Sequence, residues 1–160
     1  MEENYKTYLD NGIYDIQDGK YICAIDNINK SLELKNDWEI PYFYRAVANQ
    51  ALKQYDEAMI DYTKALLLND KMTDAYYNRA YITLSRKDIE NPDIEGAVKD
   101  LEKALELDGN FIDALYAMAA AQKKLEHYDT AIEYLDRLLK LEPDAVNAKA
   151  LKKLILQKYM

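Results

Sequence analysis

The sequence KQYDEAMIDYTKAL at residues 53–66 has three echoes elsewhere in the chain. They are GKYICAID at residues 19–26, EGAVKDLEKAL at residues 95–105 and HYDTAIEYL at residues 127–135. Each echo contains an alanine at the same place, and the four alanines are 34, 39 and 34 residues apart: Ala24, Ala58, Ala97 and Ala131. Self-similarity at a period of roughly 20–50 residues indicates a protein built from stacked repeats.

A second small residue precedes each of these alanines. Gly12, Ala46 and Ala119 lie 12 residues ahead of theirs, whereas Ala80 lies 17 residues ahead. The difference predicts a five-residue insertion within residues 87–92, where an Asn-Pro pair favours a helix break. Apolar residues spaced by three and four predict two helices per repeat. We expect one domain over residues 1–160, with repeats 1–4 at 5–38, 39–72, 73–111 and 112–145 and a capping helix at 146–160.

The pattern resembles the tetratricopeptide repeat, whose 34-residue unit has an opening aromatic, a small residue and a later alanine. The opening position holds Tyr8, Tyr42, Tyr76 and Leu115, and the closing proline of the family survives only as Pro143. The resemblance implies an all-α fold: a right-handed superhelix, or α-solenoid, of four tetratricopeptide-type helical hairpins and a C-terminal capping helix. One hairpin cannot bury its apolar face alone, so stacked repeats share a continuous core.

Composition excludes several classes of partner. The chain has a formal charge of −8 and no cluster of Lys and Arg, so nucleic acid and membrane surfaces are not expected to bind. It has neither a signal peptide nor an apolar run long enough to span a bilayer. With Cys23 as the only cysteine, these features predict a cytoplasmic, acidic protein without disulfides.

The residue inventory offers little for catalysis or metal binding. His127 is the only histidine and precedes a helix, so we interpret it as a solvated turn residue. Cys23 is interpreted as a tolerated free thiol. A multi-histidine metal site or a histidine-based catalytic cluster cannot be built from one histidine. We expect no enzymatic activity, no metal and no cofactor.

Function is expected on the first helix of each repeat, because the resemblance implies that these helices line a concave groove that holds peptides. Carried over by position, the predicted groove residues are Phe43, Tyr44, Val47, Asp74, Tyr77, Asn78, Tyr81, Asp113 and Tyr116. They would form an aromatic centre with an acidic edge. The expected partner is therefore a protein or peptide with apolar anchors and some positive charge, bound by a non-catalytic scaffold or adaptor.

Three further hypotheses follow from the resemblance. A well-known subtype of the family grips a C-terminal carboxylate with Lys and Arg, but the matching positions here hold Phe43, Asp113 and Ala117. We therefore do not expect that recognition mode. A client-holding chaperone for apolar segments is one alternative function. Self-association into a homo-oligomer is another, through the faces Tyr5-Tyr8-Leu9 or Leu151-Leu154-Ile155.

Overall fold

The computed structural model describes residues 4–159, and within that range all regular structure is α-helical. The helices are α1 (Asn4–Gln17), α2 (Tyr21–Leu34), α3 (Glu39–Ala51), α4 (Tyr55–Leu68), α5 (Thr73–Ser85), α6 (Ile94–Leu107), α7 (Ile112–Lys124), α8 (Tyr128–Leu141) and α9 (Val146–Tyr159). Each predicted repeat contains two of them, and α9 follows the fourth pair. The chain divides into two compact units, Met1–Ala75 and Tyr76–Met160, called unit 1 and unit 2 below.

Small residues let the two helices of a hairpin approach closely. Gly12 of α1 and Ala24 of α2 are buried, as are the corresponding small residues of the other repeats: Ala46, Ala58, Ala80, Ala97, Ala119 and Ala131. At Gly12 a Cβ atom would lie only 2.6 Å from Cγ1 of Ile28. The periodic small residues found in the sequence therefore mark the points where helix axes are closest.

Three of the four hairpins turn through the same backbone motif. Gly19, Lys53 and Glu126 adopt left-handed φ angles of 74°, 61° and 62°, and each follows a first helix by the same interval. The amide of each donates to a carbonyl three residues earlier, and the next amide donates to a carbonyl five residues earlier. This is the Schellman arrangement, in which glycine is favoured because it lacks a Cβ. In repeat 3 the connection between α5 and α6 is longer and begins at Arg86.

Bidentate ion pairs join the two helices of repeats 2 and 3. In unit 1, Nε and Nη2 of Arg45 donate to the carboxylate of Asp61 at 2.7 and 2.8 Å. In unit 2, Nε and Nη2 of Arg79 donate to Asp100 at 2.7 and 2.6 Å. Each carboxylate raises the pKa of its arginine above the ordinary value through this hydrogen bond, so both arginines remain charged. Arg45 also reaches Asn29 at 2.7 Å and thereby ties repeat 2 to repeat 1.

Each unit has its own core. In unit 1, Leu9, Ile28 and Leu32 are buried together, and Trp38 packs against them. In unit 2 a larger cluster includes Leu101, Leu115, Met118 and Leu135. The last helix, α9, contributes Ala148 and Ile155 to that cluster. Among the helices of residues 4–159, none combines the length and the apolar character that crossing a bilayer requires.

The faces that the sequence offered for self-association are partly internal. Leu9 and Ile155 are both buried in the cores of their own units. The prediction that these two side chains are exposed is wrong, because each lies on the side of its helix that packs against the neighbouring helix. Leu154 does remain exposed.

Candidate functional site

Unit 2 contains a cavity of about 470 Å³ between its first helices and the start of α9. One wall comes from α5 and the opposite wall from α7, while Leu138, Glu142 and the beginning of α9 close the third side. The lining residues are Tyr77, Tyr81, Leu84, Ser85, Ile112, Asp113, Tyr116, Ala117, Ala120, Leu138, Glu142, Ala145, Val146, Asn147 and Ala148. A cleft of this size accommodates one or two side chains of a bound peptide.

Helical spacing explains why these residues share one cavity. Tyr77 and Tyr81 are four residues apart on α5, so their side chains leave the same face of the helix. On α7, Asp113, Tyr116 and Ala120 follow spacings of three and four. Ala117 and Ala120 are small, which keeps the space in front of the tyrosines open.

The aromatic wall is held in place by contacts within unit 2. The ring of Tyr77 lies with its centroid 4.9 Å from that of Phe111 and 6.0 Å from that of Tyr81. Tyr77 is half-buried, whereas Tyr81 is 47% exposed. Because Tyr77 already packs against Phe111, a ligand would meet a fixed aromatic surface and would lose little entropy in ordering it.

The charge of the cavity is negative. Among the described residues that line it, the charged ones are Asp113 and Glu142, and both are exposed. Burial, followed by the nearby Asp113 carboxylate and then Tyr81, raises the pKa of the Tyr77 hydroxyl above its ordinary value. Tyr77 is therefore neutral at physiological pH, and its hydroxyl can donate a hydrogen bond.

The structure brings together four of the nine predicted groove residues: Tyr77, Tyr81, Asp113 and Tyr116. Asn78 lies on α5 but does not line this cavity. Sequence reasoning missed the contribution of Leu138, Glu142 and Val146, because the first-helix pattern carries no information on the turn between α8 and α9. The proline and aspartate of that turn were a usable signal, since they place the start of α9 close to the end of α8.

The other predicted groove residues belong to unit 1, and two of them pack within repeat 2. The rings of Phe43 and Tyr44 are 5.4 Å apart, and Phe43 also lies 5.8 Å from Tyr62, which is fully buried. Phe43, Tyr44 and Val47 are half-buried, and Asp74 is exposed in the first turn of α5. Part of the aromatic surface of Phe43 therefore serves the packing of repeat 2 itself.

The remaining polar candidates stay at the surface. His127 is exposed, and its Nδ1 lies 2.9 Å from Oε1 of Gln122 at the turn before α8. Cys23 is exposed on α2. Within residues 4–159, no group of three or more His, Cys, Asp and Glu side chains is placed to hold a metal ion.

Two family models match parts of the chain. Residues 112–159 match the Fis1 C-terminal tetratricopeptide repeat, and residues 42–72 match a tetratricopeptide repeat model. Hsp70-Hsp90 organizing protein 1 of Glycine max is 36% identical over 104 residues, which are 62% of this chain and 17% of that protein. The chain spans between a tenth and about a quarter of the length of the first curated relatives that it matches.

Solved structures show the same fold. The first tetratricopeptide repeat of Spaghetti (RPAP3), bound to the HSP90 peptide SRMEEVD, superposes with a TM-score of 0.71 and 27% identity over 78% of this chain and 94% of that one. A crystal structure of MamA superposes with a TM-score of 0.79 and 23% identity over 91% of this chain and 82% of that one. The predicted fold class, an all-α helical repeat of the solenoid type, is confirmed.

Proposed function

The chain is a tetratricopeptide-repeat protein, and from this premise we propose that it is a cytoplasmic, non-catalytic scaffold that binds a peptide segment of a partner protein in the unit 2 cavity. The observation that carries the proposal is the aromatic wall of Tyr77, Tyr81 and Tyr116, which faces open space instead of the core. Tyrosines in such a wall give large contact area at low entropic cost, as in other binding surfaces. The relative bound to an HSP90 peptide supports peptide binding on this fold.

The charge of the cavity distinguishes the proposed ligand from the peptide held by that relative. The HSP90 peptide SRMEEVD has three acidic side chains. The cavity here presents Asp113 and Glu142, and Ala117 stands where the carboxylate-gripping subtype has a basic residue. A carboxylate entering this cavity would meet like charges. The proposed ligand therefore has an apolar or aromatic anchor that fills the cavity and a Lys or Arg that approaches Asp113 or Glu142.

The first test is a pull-down from cytosol with the wild-type protein and a Tyr77→Ala/Tyr81→Ala variant. Tyr14→Ala serves as the matched control, because Tyr14 is an exposed tyrosine on α1 in unit 1. Circular dichroism first establishes that all three proteins are equally helical. A binding site that contributes about 2 kcal/mol through these rings would weaken roughly thirtyfold. Equal recovery by the wild type and the double variant would refute the role of the cavity.

A second test addresses the charge preference. Immobilised peptides with one Phe or Leu anchor, followed by Lys, Gln or Glu, are probed with the wild type and with an Asp113→Asn/Glu142→Gln variant. The Lys series should bind best to the wild type, by about two- to fivefold per charge, since exposed ion pairs contribute up to about 1 kcal/mol. The variant should lose this order. SRMEEVD is included as a probe, and preferential binding of it by the wild type would contradict the proposed ligand class.

A further inference from the structure

Helix α4 carries two large apolar side chains in solvent, both of them in unit 1. Leu67 is 78% exposed and Ile60 is 69% exposed. The seven residues between them make two helical turns, so both side chains lie on one face of α4, with Thr63 and Lys64 between them. Residues 59, 60, 63, 64 and 67 border a shallow, mainly apolar depression on this face. We call this face the α4 stripe.

The other repeats show what these positions hold when no partner is involved. The positions that correspond to Ile60 hold Asp26, Lys99 and Glu133, and those that correspond to Leu67 hold Glu33, Glu106 and Lys140. All six are charged and exposed. By contrast, the exposed Leu68 recurs as leucine in every repeat, at positions 34, 107 and 141, so it belongs to the repeat pattern. The fold therefore does not require Ile60 or Leu67 to be apolar, and a separate cause is needed.

We propose that the α4 stripe is a self-association surface, on which α4 of a second copy of this chain docks in antiparallel orientation about a two-fold axis. An axis between Thr63 and Lys64 places Ile60 of each copy opposite Leu67 of the other. Both apolar contacts are thus made twice, as a two-fold interface requires. This inference is independent of the peptide cavity, which lies in unit 2.

The charges along the stripe are complementary in the same register. Asp56 at the start of α4 lies opposite Lys71, which follows the end of α4 in the second copy, and the symmetry repeats this pair at the other end. The remaining cation of the stripe is directed elsewhere: Nζ of Lys64 lies 5.8 Å from the centroid of the Tyr42 ring of its own chain. The two Lys64 side chains therefore need not meet at the axis. Two Asp–Lys pairs also offset some of the repulsion between two chains of charge −8.

The size of the surface limits its strength. Each copy contributes two large apolar side chains and their neighbours, which is less than the roughly 1,000 Å² of total buried surface that a stable interface needs. We therefore expect a weak, reversible dimer with a dissociation constant on the order of 100 µM. Moderate salt should strengthen association, because it screens the repulsion between the acidic bodies more than it weakens apolar contact.

The test is sedimentation equilibrium of the whole chain between about 10 µM and 1 mM, around the expected dissociation constant. The mass should rise from 18.6 kDa towards twice that value. The variant Ile60→Glu/Leu67→Lys should remain monomeric; since these are the residues of repeat 4, folding should be preserved. Ile22→Asp is the matched control, because Ile22 is equally exposed on α2 and the other repeats have an acidic residue there. A monomeric wild type, or a double variant that dimerises equally well, would overturn the proposal.

The orientation is tested by a disulfide cross-link. In a Cys23→Ser background, Thr63→Cys lies next to the two-fold axis and should form a covalent dimer under mild oxidation. Asp56→Cys, about two helical turns away from the axis, should not. Equal cross-linking of the two variants would refute the antiparallel register. Binding of peptides in the unit 2 cavity should be unchanged by Ile60→Glu/Leu67→Lys, so that failure of one proposal leaves the other intact.

Discussion

The close contact between Gly12 and Ile28 makes a quantitative prediction about unit 1. A Cβ on residue 12 would lie 2.6 Å from Cγ1 of Ile28 and 3.2 Å from the carbonyl oxygen of Ala24, whereas ordinary contacts begin at about 3.4 Å. Repeat 1 is the one repeat with glycine at this position, and it is also the one with a β-branched residue at the facing position. The other repeats pair alanine with Tyr62, Leu101 or Leu135. Gly12 thus compensates for the branch of Ile28.

The magnitude follows from two opposing effects. Gly12→Ala should gain about 1 kcal/mol in helix propensity and lose about 1–3 kcal/mol through overpacking, for a net loss of about 0–2 kcal/mol. Ile28→Leu moves the branch away from Cβ and should cost less than about 1.5 kcal/mol. In the double variant the clash is gone while the gain in propensity remains. The free energy of coupling between the two substitutions should therefore be favourable by about 1–3 kcal/mol.

Urea unfolding of the four proteins measures this coupling. Trp38 is the only tryptophan of the chain and packs against the cluster that contains Ile28, so its fluorescence follows the unfolding of the affected core. Gly109→Ala is a control for glycine replacement as such, since a Cβ there meets nothing closer than 3.7 Å. If Gly12→Ala has the same effect in the wild-type and the Ile28→Leu backgrounds, within about 0.5 kcal/mol, the steric explanation is wrong.

Three further predictions concern the turns, the ion pairs and the cavity. Lys53→Gly should stabilise the chain by about 1 kcal/mol in urea unfolding, because residue 53 has a left-handed φ that glycine adopts without strain. Arg45→Ala should destabilise it by about 3–5 kcal/mol, since Asp61, whose side chain is 6% exposed, would be a buried unpaired charge; Lys103→Ala, in an exposed pair, should cost less than about 1 kcal/mol. The pKa of Tyr77 is raised on folding, so its contribution to stability is complete below pH 10 and is lost as pH rises through the folded value. The advantage of Tyr77→Phe over the wild type in urea unfolding should therefore grow above pH 10.

The sequence was sufficient for the helical hairpins because their requirements are local. A buried small residue on each helix is needed where two axes come close, and that requirement is visible as a period. The ion pairs and the left-handed turns were not predicted. Arg45 and Asp61 are 16 residues apart on different helices, so their pairing depends on the rotation of each helix about its axis. Lys53 is not glycine, and its left-handed conformation is imposed by the turn between packed helices.

The candidate site was predicted less completely, for a related reason. Tyr77, Tyr81, Asp113 and Tyr116 could be predicted because each occupies a repeated position on a first helix. The third side of the cavity comes from the turn into α9, which follows the last repeat and has no counterpart in the others. Its placement depends on the packing of Ala148 and Ile155 into the unit 2 core. The negative charge contributed by Glu142 was missed together with that turn.

Comparison among the repeats separates the demands of the fold from those of binding. A position that holds the same kind of residue in every repeat, such as the cations Lys30, Lys64, Lys103 and Arg137, reflects the architecture. A position that departs in one repeat has two possible causes. At Gly12 the departure is matched by a change in the contacting Ile28, so it is explained inside the chain. Ile60 and Leu67 depart while remaining exposed, and the described residues of their own chain leave them uncovered. An exposed departure of this kind is the one that calls for a partner, and the two-fold pairing of the α4 stripe supplies it.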